Sequence, residues 1–152
     1  MAEKTLIIVK PDAVQRALTG EIINRFERRG FKLIAAKFMK ISRETAEMHY
    51  SVHQDKPFYE KLCAYLASSP VMVMVWQGQN IIKLSRNMIG ATDAAEALPG
   101  SIRGDYALTR SFNLVHGSDS VKSAEYEIPL YFDDSEMVNY EKDITPWLIG
   151  ND

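Results

Sequence analysis

Apolar residues recur along this chain with two spacings, and the change between them predicts where strands and helices lie. Short apolar runs rich in β-branched residues predict strands over 5–10, 31–41 and 71–76, and Pro11 ends the first because proline cannot donate to a sheet ladder. Apolar residues three and four apart predict helices over 20–30, from 42 onward, over 58–68 and over 81–90. Strands and helices therefore interleave up to residue 90.

The chain is less regular after that point. No period holds from 91 to 112, where Pro99, Gly100 and Gly104 predict a long loop. Such loops are unusual in a compact domain unless they are functional. Residues 113–115 predict a short strand that leads into His116, and a helix follows until Pro129, which we expect to stop it.

This order of elements predicts the fold class. The succession β-α-β-(α,α)-β-α-loop-β-α suits a ferredoxin-like α+β fold, in which a four-stranded antiparallel sheet has helices packed on one face. A chain of 152 residues can bury one core of ordinary size, so we expect a single domain over 1–152.

Composition narrows the classes of function. Hydrophobic residues make up 46% of the chain and charged residues 25%, which is typical of a folded protein and not of a disordered one. The formal net charge of −2 gives no general attraction to nucleic acid or to an anionic membrane, so a phosphate ligand would have to be held locally. Cys63 is the single cysteine, and we expect it in the core of a protein from a reducing compartment. The absence of a long apolar run or signal peptide favours the cytoplasm.

His116 is the main candidate for chemistry. It lies where a predicted strand gives way to a glycine and then to the first turn of a helix, whose free backbone N–H groups favour phosphate. Imidazole is a good neutral nucleophile near neutral pH, although a lone histidine can also be a cap or a buried hydrogen-bonding group. His49 and His53 stand four residues apart, a spacing that could hold a metal if one helix carried both, but we expect that helix to end between them. His53 could instead hold a phosphate at the rim of the site.

The full set of motifs resembles nucleoside diphosphate kinases, in that family's order and spacing, from about residue 4 to about residue 140. The most specific segment is Asn-Leu-Val-His-Gly-Ser-Asp-Ser at 113–120. The others are Thr-Leu-Ile-Ile-Val-Lys-Pro-Asp (5–12), Gly-Glu-Ile-Ile (20–23), Arg-Phe (25–26), His-Tyr (49–50), Pro-Phe (57–58), Ser-Pro-Val (69–71), Pro-Gly (99–100) and Ile-Arg-Gly-Asp (102–105). Walker-type and nucleophile-elbow patterns are both absent from the sequence.

The resemblance implies a role for each matching residue. His116 is similar to the family's phosphorylated histidine, and Glu127 to the carboxylate that orients the ring, although an isolated glutamate is more often a solvated helix residue. The residues implied for nucleotide binding are Lys10, Arg86 and Arg103 for the phosphates, Thr92 and Tyr50 as hydroxyl groups near them, Asn113 for the ribose, and Phe58 with Leu62 for the base. Phe58 could also be a plain core residue. Ser118 and Ser120 are assigned capping and positioning roles.

The resemblance also implies the reaction and the partners. ATP would phosphorylate the histidine and leave as ADP, and a second nucleoside diphosphate would collect the phosphate in a ping-pong reaction. Mg²⁺ would be carried by the nucleotide, and the protein would be a homo-oligomer, a tetramer or a hexamer, with no membrane and no specific nucleic acid as partner. Two alternatives stay open, a non-catalytic module that binds nucleic acid or protein through its sheet, and a nucleotide hydrolase that uses the same site.

The sequence departs from the family's pattern in two places. Ser111 and Phe112 stand where Gly-Arg is common before the asparagine, and Arg110 stands where a small apolar residue is usual. These changes bear on the packing of the long loop, on subunit contacts and on the edge of the base. The tail after Asp143 runs past the match, and we expect Trp147 and Ile149 to make a subunit contact.

Overall fold

The core of the fold is a four-stranded sheet, seen in a computed structural model that describes residues 2–152. Its strands are β1 (Ala2–Val9), β2 (Lys32–Met39), β3 (Val71–Gln79) and β4 (Val115–Gly117), in the order β2-β3-β1-β4. Every neighbouring pair is antiparallel. The predicted ferredoxin-like α+β class is confirmed.

Helices fill the connections between the strands. They are α1 (Pro11–Gln15), α2 (Thr19–Arg29), α3 (Arg43–His49), α4 (Tyr59–Leu66), α5 (Ile81–Ile89), α6 (Ile102–Tyr106), α7 (Val121–Tyr131) and α8 (Thr145–Leu148), with short 3-10 turns at Ser51–His53, Ala94–Glu96 and Asp134–Glu136. Across residues 2–152, no helix combines the length and the apolar content that crossing a membrane requires.

Helices cover both faces of the sheet, so the prediction of helices on one face was wrong. Leu6 and Ile8 of β1 pack into one apolar cluster with residues of α3, α4 and α7, whereas Ile7 and Val9 pack into a second cluster with residues of α2 and α5. The physical reason is that β1 and β3 are apolar at consecutive positions, and successive side chains of a strand point to opposite faces. A single layer of helices would leave half of these side chains in water.

The helix α7 continues to Tyr131, so the prediction that Pro129 stops it was also wrong. Proline removes one N–H bond, and the carbonyl group that would have accepted it belongs to Glu125, four residues earlier. Glu125 and Pro129 both lie on the exposed side of the helix, where water can satisfy that carbonyl. Burial of Tyr131 holds the last turn against the sheet.

Two elements near the long loop also differ from the prediction. The fourth strand covers Val115–Gly117 and not 113–115, because Leu114 has a φ of 75° and interrupts the extended backbone. The region 91–112 contains a 3-10 turn and α6. Ser101 caps the N-terminus of α6, because its hydroxyl accepts a hydrogen bond from the Gly104 N–H at 3.0 Å. A five-residue helix with a central glycine is too short to show a period.

Gly117 allows α5 to pack closely on β4. A Cβ atom at this position would lie 2.6 Å from Cδ1 of Ile89, which is closer than two carbon atoms can approach. The close packing brings Arg86 of α5 to the strand, where its guanidinium donates to the Gly117 carbonyl at 3.2 Å. Because Gly117 has no side chain, Arg86, one of the predicted phosphate ligands, can lie beside His116.

Candidate active site

His116 lies in the middle of β4, on the face of the sheet that α3 and α7 cover. It is paired with Ile8 across the β1–β4 ladder, and paired residues of an antiparallel ladder point to the same face. Its side chain is 15% exposed, between the buried residues Val115 and Gly117. The ring is therefore held by the fold and is still open to solvent on one side.

Glu127 of α7 fixes the orientation of this ring. Nε2 of His116 lies 2.9 Å from Oε1 of Glu127, and the hydroxyl of Ser118 donates to the same oxygen at 2.7 Å. Ser118 in turn accepts the Leu6 N–H at 3.1 Å. Glu127 is 8% exposed, so the interpretation as a solvated helix residue is wrong.

The charge of Glu127 decides the tautomer of His116. Burial alone would raise the pKa of this carboxyl group, but the hydrogen bonds that it accepts from His116 and Ser118 lower it overall. An ionised carboxylate only accepts hydrogen bonds, so the proton of the neutral ring lies on Nε2. The lone pair of the ring is then on Nδ1.

His49 packs edge-on against His116, with the ring centroids 4.6 Å apart. Its Nδ1 lies 2.8 Å from the hydroxyl of Tyr131, whereas its Nε2 is buried without a hydrogen-bond partner, 3.8 Å from Oε2 of Glu127. Burial and the neighbouring His116 lower the pKa of His49 to about 3, so the ring is neutral. The prediction that the helix ends between His49 and His53 is confirmed, because α3 ends at His49. The potential metal ligands next to His49 are His116 and Glu127.

Three cationic side chains converge near His116. Lys10, which directly follows β1, is 5% exposed, and its ammonium group donates to Oδ1 of Asn113 at 2.9 Å. Its pKa is lowered to about 7 by burial and by the charges of Arg103 and Arg86, while Asp12 acts in the opposite direction. Mutual repulsion between buried cations marks a place where an anion would be stabilised.

Arg103 ties the long loop to the sheet. Its guanidinium donates to the carbonyl groups of Asn113 at 3.0 Å, Gly90 at 3.0 Å and Val115 at 2.7 Å. Burial, followed by the charge of Arg86, lowers its pKa to about 10, so it stays charged at neutral pH. Three of its five N–H groups are used in this way, which leaves two for a ligand.

Asp12 and Tyr65 form a supporting contact that the sequence did not predict. The Tyr65 hydroxyl donates to one oxygen of Asp12, and the Leu114 N–H donates to the other at 3.1 Å. Lys10 lies over the Tyr65 ring, 5.6 Å from its centroid. The position of Asp12 in the Lys-Pro-Asp motif was the available signal, whereas Tyr65 gave only its place on a helical stripe.

The remaining predicted residues extend the site away from the histidine. Asn113 also donates to the carbonyl of Thr92 at 3.3 Å, so the loop that carries Thr92 reaches the same corner. A row of aromatic rings leads from His116 to Phe58 through His49, Tyr50 and His53, with centroids 4.6, 4.8, 6.4 and 5.5 Å apart in turn. The structure thus connects the nucleophile candidate to α4.

Phe58 and its neighbours differ in burial. Phe58 is 47% exposed, so the interpretation as a core residue is wrong, while Leu62 is half-buried against the core. Tyr50 is buried, and its hydroxyl has no hydrogen-bond partner within residues 2–152. Burial raises its pKa, so the phenol stays protonated and can donate.

The departures from the family's pattern lie on the surface. Arg110, Ser111 and Phe112 are all exposed, and Phe112 packs edge-on against Tyr65 with centroids 5.6 Å apart. The contacts of Lys10 and Asn113 described above do not involve them.

Comparisons with known proteins assign the family. The family model for nucleoside diphosphate kinase matches residues 3–137. A nucleoside diphosphate kinase of Thermomicrobium roseum is 53% identical over 97% of this chain and 99% of its own length, and one of Carboxydothermus hydrogenoformans is 52% identical over 96% and 98%.

Solved structures agree with the family model. The structure of a halophilic nucleoside diphosphate kinase from Halobacterium salinarum in complex with CDP matches with a TM-score of 0.96 and 45% identity, covering 99% of this chain and 100% of that one. A nucleoside diphosphate kinase family protein from Babesia bovis matches with a TM-score of 0.94 and 44% identity, over 97% and 99%. The chain therefore belongs to the nucleoside diphosphate kinase family and is a phosphotransferase that moves phosphate between nucleotides through a phosphohistidine intermediate.

Proposed function

We propose that Nδ1 of His116 is the atom that takes the γ-phosphate of ATP and passes it to a nucleoside diphosphate. The observation that carries this proposal is the 2.9 Å contact between Nε2 of His116 and Glu127, which leaves the lone pair on Nδ1. A bond forms from Nδ1 to phosphorus as the bond from phosphorus to the bridging oxygen of ADP breaks. The ring becomes positively charged, and the Glu127 carboxylate stabilises that charge.

The cations supply the electrostatic part of the reaction. Lys10, Arg86 and Arg103 would neutralise the charge spread over the oxygens of the transferring group. Phosphate also makes the charged form of Lys10 more favourable, which compensates for its burial. Thr92 and Tyr50 are proposed to donate hydroxyl hydrogen bonds to the phosphates.

The nucleoside is proposed to lie along α4. Phe58 presents an exposed ring on which a base can stack, with Leu62 beside it, and Asn113 would contact the ribose. Stacking does not depend on the identity of the base, so we expect ATP to serve several different nucleoside diphosphates. The complex of the Halobacterium salinarum enzyme with CDP supports a nucleotide as the ligand.

Magnesium is proposed to enter as part of the substrate, bound to the nucleotide phosphates. Among residues 2–152, the group of three potential metal ligands is His49, His116 and Glu127, which has two nitrogen donors. Mg²⁺ prefers oxygen ligands and keeps several waters, so this set does not suit it. The protein would then bind Mg·ATP through the phosphates.

The same proposal covers the setting in which the enzyme works. The chain is proposed to be one domain over 1–152 that assembles as a homo-oligomer in the cytoplasm. Trp147 is 90% exposed and Ile149 is 45% exposed on the tail, which supports a subunit contact there. Measurement of the mass in solution decides between a tetramer and a hexamer.

The test of the proposed nucleophile is transfer from γ-labelled ATP. We expect an acid-labile protein-bound label that is lost in His116→Ala and kept in His53→Ala, the matched control for removing a histidine. The label should move to added GDP, whereas a hydrolase would release inorganic phosphate at the same rate without an acceptor. Label that survives in His116→Ala contradicts the proposal.

A further inference from the structure

His49, His116 and Glu127 bring three metal-ligating atoms to one place, and all of them lie within 4.8 Å of one another. Nε2 of His116 lies 2.9 Å from one carboxylate oxygen of Glu127, Oε1, and Nε2 of His49 lies 3.8 Å from the other, Oε2. A tetrahedral zinc ion with ligands at about 2.1 Å holds them about 3.4 Å apart. The observed distances lie on both sides of that value, so side-chain movements of less than about 1 Å each would complete three of four positions.

His49 supplies the independent sign of a ligand. Its side chain is 1% exposed, yet Nε2 has no hydrogen-bond partner within residues 2–152 and faces Glu127. A buried polar atom without a partner is costly and is explained most simply by a ligand that completes it.

Tyr131 prepares His49 for coordination. Its hydroxyl lies 2.8 Å from Nδ1, the nitrogen that does not face the cluster. A hydroxyl can accept as well as donate, so the proton of the ring can move to Nδ1 and bond to Tyr131 while Nε2 gives its lone pair to a metal. Metal-binding histidines usually have such a partner on the second nitrogen.

We infer that these three residues form an inhibitory site for a divalent transition metal of the zinc type. Two imidazoles and a carboxylate suit Zn²⁺ and its neighbours, whereas Mg²⁺ prefers oxygen ligands. The site is distinct in chemistry from the one that binds the magnesium nucleotide.

The inhibition follows from the proton on His116, and this consequence rests on the proposed role of Nδ1. Without the metal, the single ring proton lies on Nε2 and bonds to Glu127. When Nε2 coordinates the metal, the proton moves to Nδ1, no proton is lost, and the lone pair that attacks phosphorus is removed. The phosphates can still bind, but the first half-reaction stops until the metal leaves.

The experiment is a calorimetric titration of ZnCl2 into the full, metal-free chain without nucleotide. We expect one Zn²⁺ per chain, an affinity at least about tenfold weaker in His49→Gln, and an unchanged affinity in the matched control His53→Gln. Tyr131→Phe keeps all three metal ligands but removes the hydroxyl that accepts the Nδ1 proton of His49, so it should weaken zinc binding about 10–100-fold. This variant replaces His49→Gln as the test if His49→Gln does not fold. A thermal melt of each variant establishes that it is folded.

A second measurement tests the inhibition. The zinc-loaded chain is desalted and mixed with γ-labelled Mg·ATP, and we expect no phosphoenzyme until a chelator selective for zinc over magnesium is added. Absence of stoichiometric zinc binding, equal affinity in His49→Gln and Tyr131→Phe, or full labelling of the zinc-loaded chain would each overturn the inference. Failure of the zinc-free chain to label on His116 instead overturns the proposed function, and the titration separates the two cases.

Discussion

Replacing Glu127 by glutamine removes a charge from the active site and leaves an oxygen that can accept a hydrogen bond. Nε2 of His116 lies 2.9 Å from Oε1, and the Ser118 hydroxyl donates to the same atom at 2.7 Å, so both bonds can persist in Glu127→Gln. The variant should therefore fold. The change acts mainly on the phosphorylated state, in which the ring is positively charged.

The size of the effect follows from the strength of the two kinds of hydrogen bond. A bond to a charged partner contributes about 1.5–3 kcal/mol, and a neutral bond about 0.5–1.5 kcal/mol, so the loss is about 1–2 kcal/mol. At about 1.4 kcal/mol for each factor of ten, phosphorylation of His116 by ATP should slow about 5–30-fold.

The assay is the single-turnover rate of phosphoenzyme formation in rapid quench. Glu125→Gln, an exposed position on the same helix, is the matched control for the change in charge and should behave as the wild type. A rate for Glu127→Gln within twofold of the wild type, with an unchanged melting temperature, would refute the charge-stabilising role of the carboxylate.

Three further outcomes test separate parts of the site. The pKa of Lys10 is lowered to about 7, and a bound phosphate restores its charge, so the protein should take up protons when ADP binds at pH 8, and ADP should bind more weakly as the pH rises above 7. Calorimetry in buffers of different ionisation enthalpy should show this proton uptake, and Lys10→Met should abolish it. Phe58→Ala should weaken the binding of ADP and of GDP to a similar degree, by about 1–3 kcal/mol. Val52→Ala, at an exposed position, is the control, and a loss of affinity for only one of the two nucleotides would contradict stacking. Gly104→Ala should lower the free energy of unfolding in urea by about 1–3 kcal/mol, because its Cβ would lie 1.9 Å from the Leu98 carbonyl oxygen, whereas Gly20→Ala, with open space around it, should not.

The long elements of the fold could be predicted from the sequence because their patterns are local. Strands β1 and β3 are apolar at consecutive positions, and α2 and α5 show a helical period over whole turns. Their ends differed from the prediction by a few residues, since pairing to a neighbour strand decides them. Three-residue β4 and five-residue α6 were misplaced or missed because they depend on contacts that a short window does not contain.

The site was predictable to a different extent. His116 was a candidate from its place between a strand and a helix, whereas Lys10 and Asn113 came from the resemblance of whole motifs. The structure brings the three residues together at one end of the sheet. The choice between the two ring nitrogens required the contact with Glu127, eleven residues away on another element. The contact of His49 with Tyr131 spans 82 residues, so no local pattern could reveal it.

The three carbonyl groups that Arg103 binds also determine where substitutions in the loop leave the active site intact. They belong to Gly90, Asn113 and Val115, so the two ends of the loop are anchored by the same side chain that would meet the phosphate. The exposed residues 108–112, just before the Asn113 anchor, are outside this constraint, and they include Arg110, Ser111 and Phe112. Mutations can accumulate in that stretch, and reshape the outer surface of the enzyme, while the chemistry beneath it stays the same.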